Sequence, residues 1–387
     1  MPRFSFSKFV PVVLVASAFG AEIGPVQPPV TVHEWGTFTS VAGRDGQAVS
    51  WAPLAATSDL PCFVHQLGKG IVKFSPGLVR METPVVYFYS PAPTKASVHV
   101  DFPEGWITEW YPKATRVFPN NPEAYGTLPN GGAMYEPKLG SIDWTDLSIL
   151  PGSSTPLSVS RGASRYFAAR ATDSASVQSG DEAEKLLFYR GIGNFKVPVE
   201  SVVEGSGVRL HAADGQILPV AILFANEGGR IGYRVVHNVR DGLIAAPEMN
   251  GSLDALRGEL ARALEQAGLY PKEAAAMVET WRDSWFEEGM RVLYIMPRAE
   301  VDRVLPLRVT PAPVDTQRVF VGRAEVVSPW AEKTIRTAME AGDTATLARF
   351  GRFLTPFLAE IKTNGEVKQA GRLNLSANNP VAGSCVQ

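Results

Sequence analysis

The sequence predicts an α+β protein: an antiparallel β-sandwich-like N-terminal half followed by a smaller α/β C-terminal half. Three observations lead there. Residues 30–247 are filled with short apolar runs, several alternating with period two and separated by Gly and Pro. From about Asn250 onward the apolar positions change to helical spacing. With 45 % hydrophobic and 20 % charged residues among 387, the chain has an ordinary globular composition, unlike a disordered chain or a membrane bundle.

Residues 1–20 have the layout of a secretory signal. Arg3 and Lys8 precede an apolar run at 9–19, and Ala16, Ser17, Ala18, Gly20 and Ala21 are small residues suited to cleavage. The run is about half of the ~20 residues a bilayer-spanning helix needs, and Pro11 interrupts it, so a permanent anchor is not expected. No cysteine follows the cleavage region, which argues against a lipoprotein. The expected address is outside the cytoplasm, in the periplasm or the medium.

After a proline-rich lead at 24–29, Val85, Val86, Tyr87, Phe88 and Tyr89 predict a strand buried on both faces. Val98, Val100 and Phe102 alternate with His99 and Asp101, predicting a strand buried on one face. Val208 and Leu210 repeat that alternation. Two runs at 221–224 and 231–236, joined through Asn226, Glu227, Gly228 and Gly229, predict a hairpin. Residues 118–132 and 151–156 are rich in turn formers, and 172–181 is polar enough to predict a mobile surface loop.

Ser252 is an N-cap for a helix whose Leu253, Leu256, Leu260 and Leu264 share a face, with Gly268 as its stop. Pro271 opens a second helix presenting Ala274, Val278, Trp281 and Trp285 on one side. The pair predicts a helical hairpin lying against the sandwich. A strand at 290–296, a short helix at 298–304 and strands at 307–309 and 318–321 follow. Ser328 and Pro329 open a helix closed by Gly342, and Asp343 opens the last one, which Pro356 should kink or divide before it ends near Asn364 and Gly365.

Loss of the signal removes two of 37 basic residues and none of 39 acidic ones, taking the formal charge from −2 to −4. A nearly neutral chain without runs of like charge lacks the electrostatic footprint of a nucleic-acid or anionic-lipid binder. Cys62 and Cys385 are the two cysteines, and in an oxidising compartment they are a candidate disulfide. Such a long closure would contribute about 5 kcal/mol at most.

The chain has no G-x-S-x-G elbow, no Walker loop and no C-x-x-C, and Gly191-Ile192-Gly193 lacks the rest of a dinucleotide fingerprint. His33-Glu34-Trp35-Gly36-Thr37 begins like a zinc-protease motif but has threonine where the second histidine is needed. A looser constellation combines the Cys62 and His65 spacing with His33, Glu34 and Glu82, side chains able to act as acid, base or ligand if the fold gathers them. Acids beside aromatics recur at Glu34-Trp35, Glu109-Trp110-Tyr111, Asp143-Trp144, Glu279-Thr280-Trp281 and Asp283-Ser284-Trp285, a pairing that carbohydrate sites use. Tryptophan is more often a core or interface residue, and Trp281 with Trp285, four apart, is first of all a packing stripe. Arg80 with Glu82, and Arg190, Arg282, Asp283 and Arg291, are expected to form ion pairs that hold the halves together.

The segments Val32-His33-Glu34-Trp35-Gly36-Thr37-Phe38-Thr39, Arg80-Met81-Glu82-Thr83-Pro84-Val85-Val86-Tyr87-Phe88-Tyr89 and Leu187-Phe188-Tyr189-Arg190-Gly191 together resemble a group of uncharacterised exported bacterial proteins. The similarity continues from Glu279-Thr280-Trp281-Arg282 to Val321-Gly322-Arg323. It implies export and a bacterial source, and it carries over no catalytic residue.

The expected function is noncatalytic binding in the cell envelope, with a polysaccharide or an envelope protein as partner and no cofactor assigned. The alternative is a secreted hydrolase acting on polysaccharide or through a metal, with His33, Glu34, His65 and Glu82 as its candidate catalytic residues.

Overall fold

The computed structural model describes residues 27–54, 60–67, 76–120, 137–160 and 164–361. The signal segment, Cys385, most of the turn-rich stretch at 118–132 and the expected end of the last helix lie outside those residues. Among the described residues no helix is long and apolar enough to cross a membrane.

The strands are β1 (Thr31–Val41), β2 (His65–Gln66), β3 (Val79–Tyr89), β4 (Thr94–Phe102), β5 (Gly105–Tyr111), β6 (Arg116–Phe118), β7 (Gly140–Leu150), β8 (Ser176–Ser179), β9 (Glu182–Glu184), β10 (Leu187–Gly193), β11 (Val199–Glu204), β12 (Gly207–Ala212), β13 (Leu218–Glu227), β14 (Arg230–Val239), β15 (Asp241–Ile244), β16 (Gly289–Ile295), β17 (Leu307–Thr310) and β18 (Asp315–Val326). The helices are α1 (Leu253–Gln266), α2 (Pro271–Thr280), α3 (Arg298–Val304), α4 (Pro329–Ala341), α5 (Thr344–Ala348) and α6 (Leu354–Ile361). The molecule is mixed α+β, with a large multi-sheet, sandwich-like N-terminal region and a smaller α/β C-terminal part.

Nine strands form the central sheet in the order β14-β13-β16-β18-β1-β3-β10-β5-β2. β1 and β18 run parallel, with Thr31 beside Asp315 and Val41 beside Glu325, and the sheet's other pairs are antiparallel. One face packs on a sheet in the order β17-β4-β7-β8-β9 and on the three-stranded β11-β12-β15. Between these layers lies the largest apolar cluster, including Val98, Val100, Phe102, Ile142, Trp144 and Leu210. β4 alternates between buried and half-exposed positions, while β3 is buried at ten of its eleven, as their sequences predict.

The opposite face of the central sheet is covered by helices. Leu256, Leu260 and Leu264 of α1 and Ala274, Met277 and Val278 of α2 pack on Trp35, Val85, Tyr87, Phe188, Leu293 and Val319. Ser252 caps α1, its side chain accepting from the Ala255 N–H. A third cluster, Val41, Ile335, Phe350, Phe353 and Phe357, lies under α4, α5 and α6. α4 starts at Ser328 and Pro329 and ends at Gly342 with φ 66°, a left-handed cap that glycine adopts without strain.

Four expectations are corrected. Residues 172–181 contain β8 and lead into β9 rather than forming a mobile loop: Ala175 and Val177 are buried, and backbone pairing with β7 holds this largely polar segment in place. β18 has twelve residues instead of four, because Arg323 and Glu325 break its apolar pattern yet are buried as an ion pair. α2 stops at Thr280, so Trp281 and Trp285 are packed, stacked with ring centroids 6.2 Å apart, from a turn rather than from the helix. The last helix is divided at Gly351–Phe353, ahead of Pro356, which sits in the first turn of α6 where its missing N–H is harmless.

Candidate functional site

The four candidate catalytic residues occupy four separate polar nodes. In a strand, neighbours point to opposite faces, and β1 accordingly sends His33 toward the helices and Glu34 toward the sandwich interior. His33 Nδ1 lies 2.8 Å from Glu273 Oε2, and Glu273 also accepts from the Tyr89 hydroxyl at 2.7 Å and the Tyr270 N–H at 2.8 Å. Glu34 accepts from Arg318 Nε at 2.5 Å and from the Tyr189 hydroxyl. His65 is in β2 at the sheet edge, four strands from β1 or about 19 Å at ordinary strand spacing, with Glu182 2.9 Å away.

Glu82, opposite Thr37 in the β1–β3 register, is 2.8 Å from Arg352 and 3.8 Å from Arg80. The fold therefore does not gather the four. Cys62 is disulfide-bonded and cannot supply a thiolate ligand. Among the described residues no group of three or more His, Cys, Asp or Glu side chains is suited to a metal ion.

The acid-and-aromatic pairs present no open aromatic platform for a sugar. Trp35, Trp144, Trp281 and Trp285 are buried, and Trp110, partly exposed, faces the His65 ring. The ion-pair expectation fares differently from site to site. Arg291 meets Glu325 at 2.8 Å in the interior, whereas Arg282 lies on the surface 2.8 Å from Glu279.

A different polar assembly stands out on the helix-covered face of the central sheet. Along β1, Trp35 belongs to the cluster under α1 and α2, Val41 to the cluster under α4 to α6, and Thr37 and Thr39 fall between the two. Directly opposed residues share a face. Thr37 is opposite Glu82, and Thr39 is opposite Arg80 on one side and Arg323 on the other. Arg323 Nε donates to Glu325 at 2.6 Å, its other nitrogens reach Ser284 Oγ at 3.0 Å and Glu287 at 2.5 Å, and Arg291 closes on Glu325 from β16. A polar seam thus crosses four adjacent strands between two apolar blocks.

The backbone is irregular at the same level. The register shifts at Gly36 between β1 and β3, at Thr83 and Pro84 between β3 and β10, and at Thr108 between β10 and β5. Bulges re-aim side chains and concentrate beside functional sites. Pro84, lacking an N–H, can sit within a central strand only at such a break. A Cβ at Gly36 would come within 2.6 Å of the Phe320 ring, so glycine is required there. Thr83 has φ 49°, a left-handed conformation that is costly for a β-branched residue, and its Oγ1 lies 3.4 Å from Arg190 Nη2.

Most of the seam's charges are paired, but several of its polar atoms are not. The Oγ1 atoms of Thr37 and Thr39 and Oε2 of Glu325 are buried without a hydrogen-bond partner. Such groups are few in native proteins and each calls for an explanation. Burial opposes ionisation of Glu82, but Arg352 and Arg80 outweigh it and hold the carboxyl well below the usual range. Glu287 moves in the same direction, with Arg323 overcoming its burial.

The segment 281–288 over the seam is made of turns and bends. Arg291 fastens it by donating to the carbonyls of Trp285, Glu287 and Glu288. At Ser284, Glu287 and Arg349 the seam reaches the half-buried and exposed surface.

No protein-family model matches this chain, and no curated protein is significantly similar to it.

Sequence reasoning singled out Glu82, Arg80 and Arg291 but missed Thr37, Thr39, Arg323, Glu325 and Glu287. The usable signal was polar residues two apart, Thr37 with Thr39 and Arg323 with Glu325, that interrupt or follow apolar positions on the same face, Trp35 and Val41 in β1 and Val319 and Val321 in β18.

Proposed function

We propose that this chain is an exported, noncatalytic binding protein of the cell envelope and that its ligand occupies the polar seam. The observation that carries the reading is the pair of buried, unpartnered hydroxyls of Thr37 and Thr39, placed between two apolar blocks beside a row of bulges and a strained Thr83. Leaving a buried polar group unsatisfied costs about 1–3 kcal/mol, a cost that a bound group would offset.

The chemistry favours binding over turnover. Glu82 and Glu287 are held as carboxylates by arginines, and a permanently ionised carboxyl is a poor proton donor near neutral pH. No histidine of the described residues lies in the seam: His33 and His65 are engaged with Glu273 and Glu182, His99 with Asp101 and Asp143, and His211 with Asp241, while His237 is in β14.

Export rests on the pattern of residues 1–20. N-terminal sequencing of the protein recovered outside the cytoplasm should begin near Ala21, and an uncleaved chain retained in the cytoplasm would contradict this part of the reading. Binding is tested by thermal-shift screening of small polar compounds against the wild-type chain and Thr37→Val. A stabilising compound whose effect disappears in the variant supports the seam. Equal shifts in both proteins place the ligand elsewhere.

A further inference from the structure

We infer that a cleft beside α1, sharing no lining residue with the seam, binds a small carboxylic acid with an apolar body. The cleft has a volume of about 460 Å³, within the range of small-molecule sites. It lies where the end of α1 passes over the ends of β13, β14, β16 and β18. Leu256 and Leu260 fill the space between the first turns of α1 and the sheet, whereas Ala263 and Ala267 near its end leave a gap. Val220, Ile295, Met296 and Val319 line that gap, and the pairing of β13, β16 and β18 holds them in place. Such a wall accepts hydrocarbon.

The rim is polar. His237, Asn238, Gln266 and Arg298 border the cleft. In a regular strand His237 and Asn238 would point to opposite faces, but Asn238 has φ 53°, a left-handed conformation that asparagine tolerates better than most residues. That turn in the backbone, at the point where Pro219 of β13 lacks an N–H, brings two consecutive residues to one cleft. His237, Asn238 and Gln266 make no hydrogen bond or ion pair with the described residues. Arg298 is fixed on one side, its Nε donating to Asp302 at 2.7 Å and its Nη1 to the Thr316 carbonyl at 2.9 Å, which leaves Nη2 for a ligand.

These groups select an acceptor. Among the described residues no aspartate or glutamate lines the cleft, so a cation entering it would find no counter-charge. The last carbonyls of α1 are already occupied: Ala263, Leu264 and Glu265 accept from the N–H groups of Ala267, Leu269 and Gly268. Arg318 also borders the cleft, but its nitrogens are directed to Glu34, Asp302 and the Leu305 carbonyl, so it shapes the wall without serving a ligand. What remains at the rim is mainly N–H donors, from Arg298 Nη2, the two carboxamides and the imidazole. A carboxylate only accepts, and its bond to a guanidinium is charge-assisted and stronger than that of an uncharged carbonyl. The acid group therefore belongs at Arg298 and the apolar body between α1 and the sheet.

Titration calorimetry with 4-phenylbutyrate, its uncharged amide and 4-phenylbutylammonium tests the class on one apolar body, and octanoate repeats the acid on another. Both acids should bind the wild-type chain, with the amide and the ammonium at least tenfold weaker than 4-phenylbutyrate. Arg298→Gln should lower the affinity for both acids about tenfold, the worth of one charged hydrogen bond. Ala267→Trp fills the gap and should abolish acid binding, and Thr37→Val should bind the acids as the wild type does. Melting followed by circular dichroism checks that the variants are folded; if Ala267→Trp is not, Ala267→Leu gives the same readout. An amide or ammonium that binds as tightly as the acid, or acid affinity unchanged in Arg298→Gln, would overturn the ligand class. Acid binding that survives filling of the gap, that disappears in Thr37→Val, or that is absent from the wild-type chain would overturn the cleft as the site, whatever the fate of the seam.

Discussion

Glu82 is nearly inaccessible, and its carboxylate lies between Arg352 and Arg80. Removing one member of a buried ion pair leaves the others uncompensated, so Glu82→Gln should cost about 3–5 kcal/mol in urea unfolding. The pH dependence follows from the depressed carboxyl. Its stabilising contribution is fully present above the ordinary value of 4.5 and drains away as pH falls below it. Glu287 adds in the same sense. Unfolding measured from pH 7 downward should therefore show stability falling below about pH 4.5, with a shallower fall in Glu82→Gln. An unchanged slope in the variant would mean that Glu82 is not the group titrating. At Thr83 opposing effects meet: glycine accepts φ 49° without strain, but Thr83→Gly also removes a buried side chain and its contact with Arg190, so stability should change by no more than about 1 kcal/mol in the same assay.

At the scale of elements, the helical hairpin is held by local capping and by one tertiary anchor. Ser252→Ala removes the side-chain bond to the Ala255 N–H and should cost about 1 kcal/mol. Glu273→Ala removes the acceptor shared by His33, Tyr89 and the Tyr270 N–H, two contacts that join α2 to β1 and β3 and one that caps α2 itself. Its cost in the same unfolding assay should be about 3 kcal/mol. If the two substitutions cost the same, the anchor contributes little beyond a cap. The contrast also marks what was legible in the sequence. Caps, prolines and apolar spacing act within a few residues, and α1, α3 and α4 begin and end where those signals stand. Partnerships set by distant chain are not written locally. β8 looks like a loop until β7 and β9 pair with it, β18 looks short until Glu325 meets Arg291, and the turn after Thr280 is fixed by Arg291 and Arg323.

Over the whole molecule, β16 and β18 come from the C-terminal part yet lie inside the central sheet, between β13 and β1. Each covering layer buries its own apolar block, and the boundary between the blocks falls on Thr37 and Thr39. That boundary was not visible along the chain because it depends on where two separate helical groups stop covering one sheet. Of the four candidate catalytic residues, Glu82 lies in the seam, beside Arg80 and Arg291, which the sequence suggests as ion-pair residues, while His33, Glu34 and His65 serve other nodes. Whether the Thr37 and Thr39 hydroxyls are committed to the scaffold, which would exclude them as a ligand's partners, can be decided from stability alone. Valine matches threonine in shape and suits a strand, so replacing an idle buried hydroxyl should be neutral or stabilising. Urea unfolding of the ligand-free chain carrying Thr37→Val or Thr39→Val should give a free energy equal to the wild-type value or up to about 1 kcal/mol higher. A loss of 1 kcal/mol or more in both variants would show that the hydroxyls hold the fold together, contradicting the assignment of the seam as a binding site.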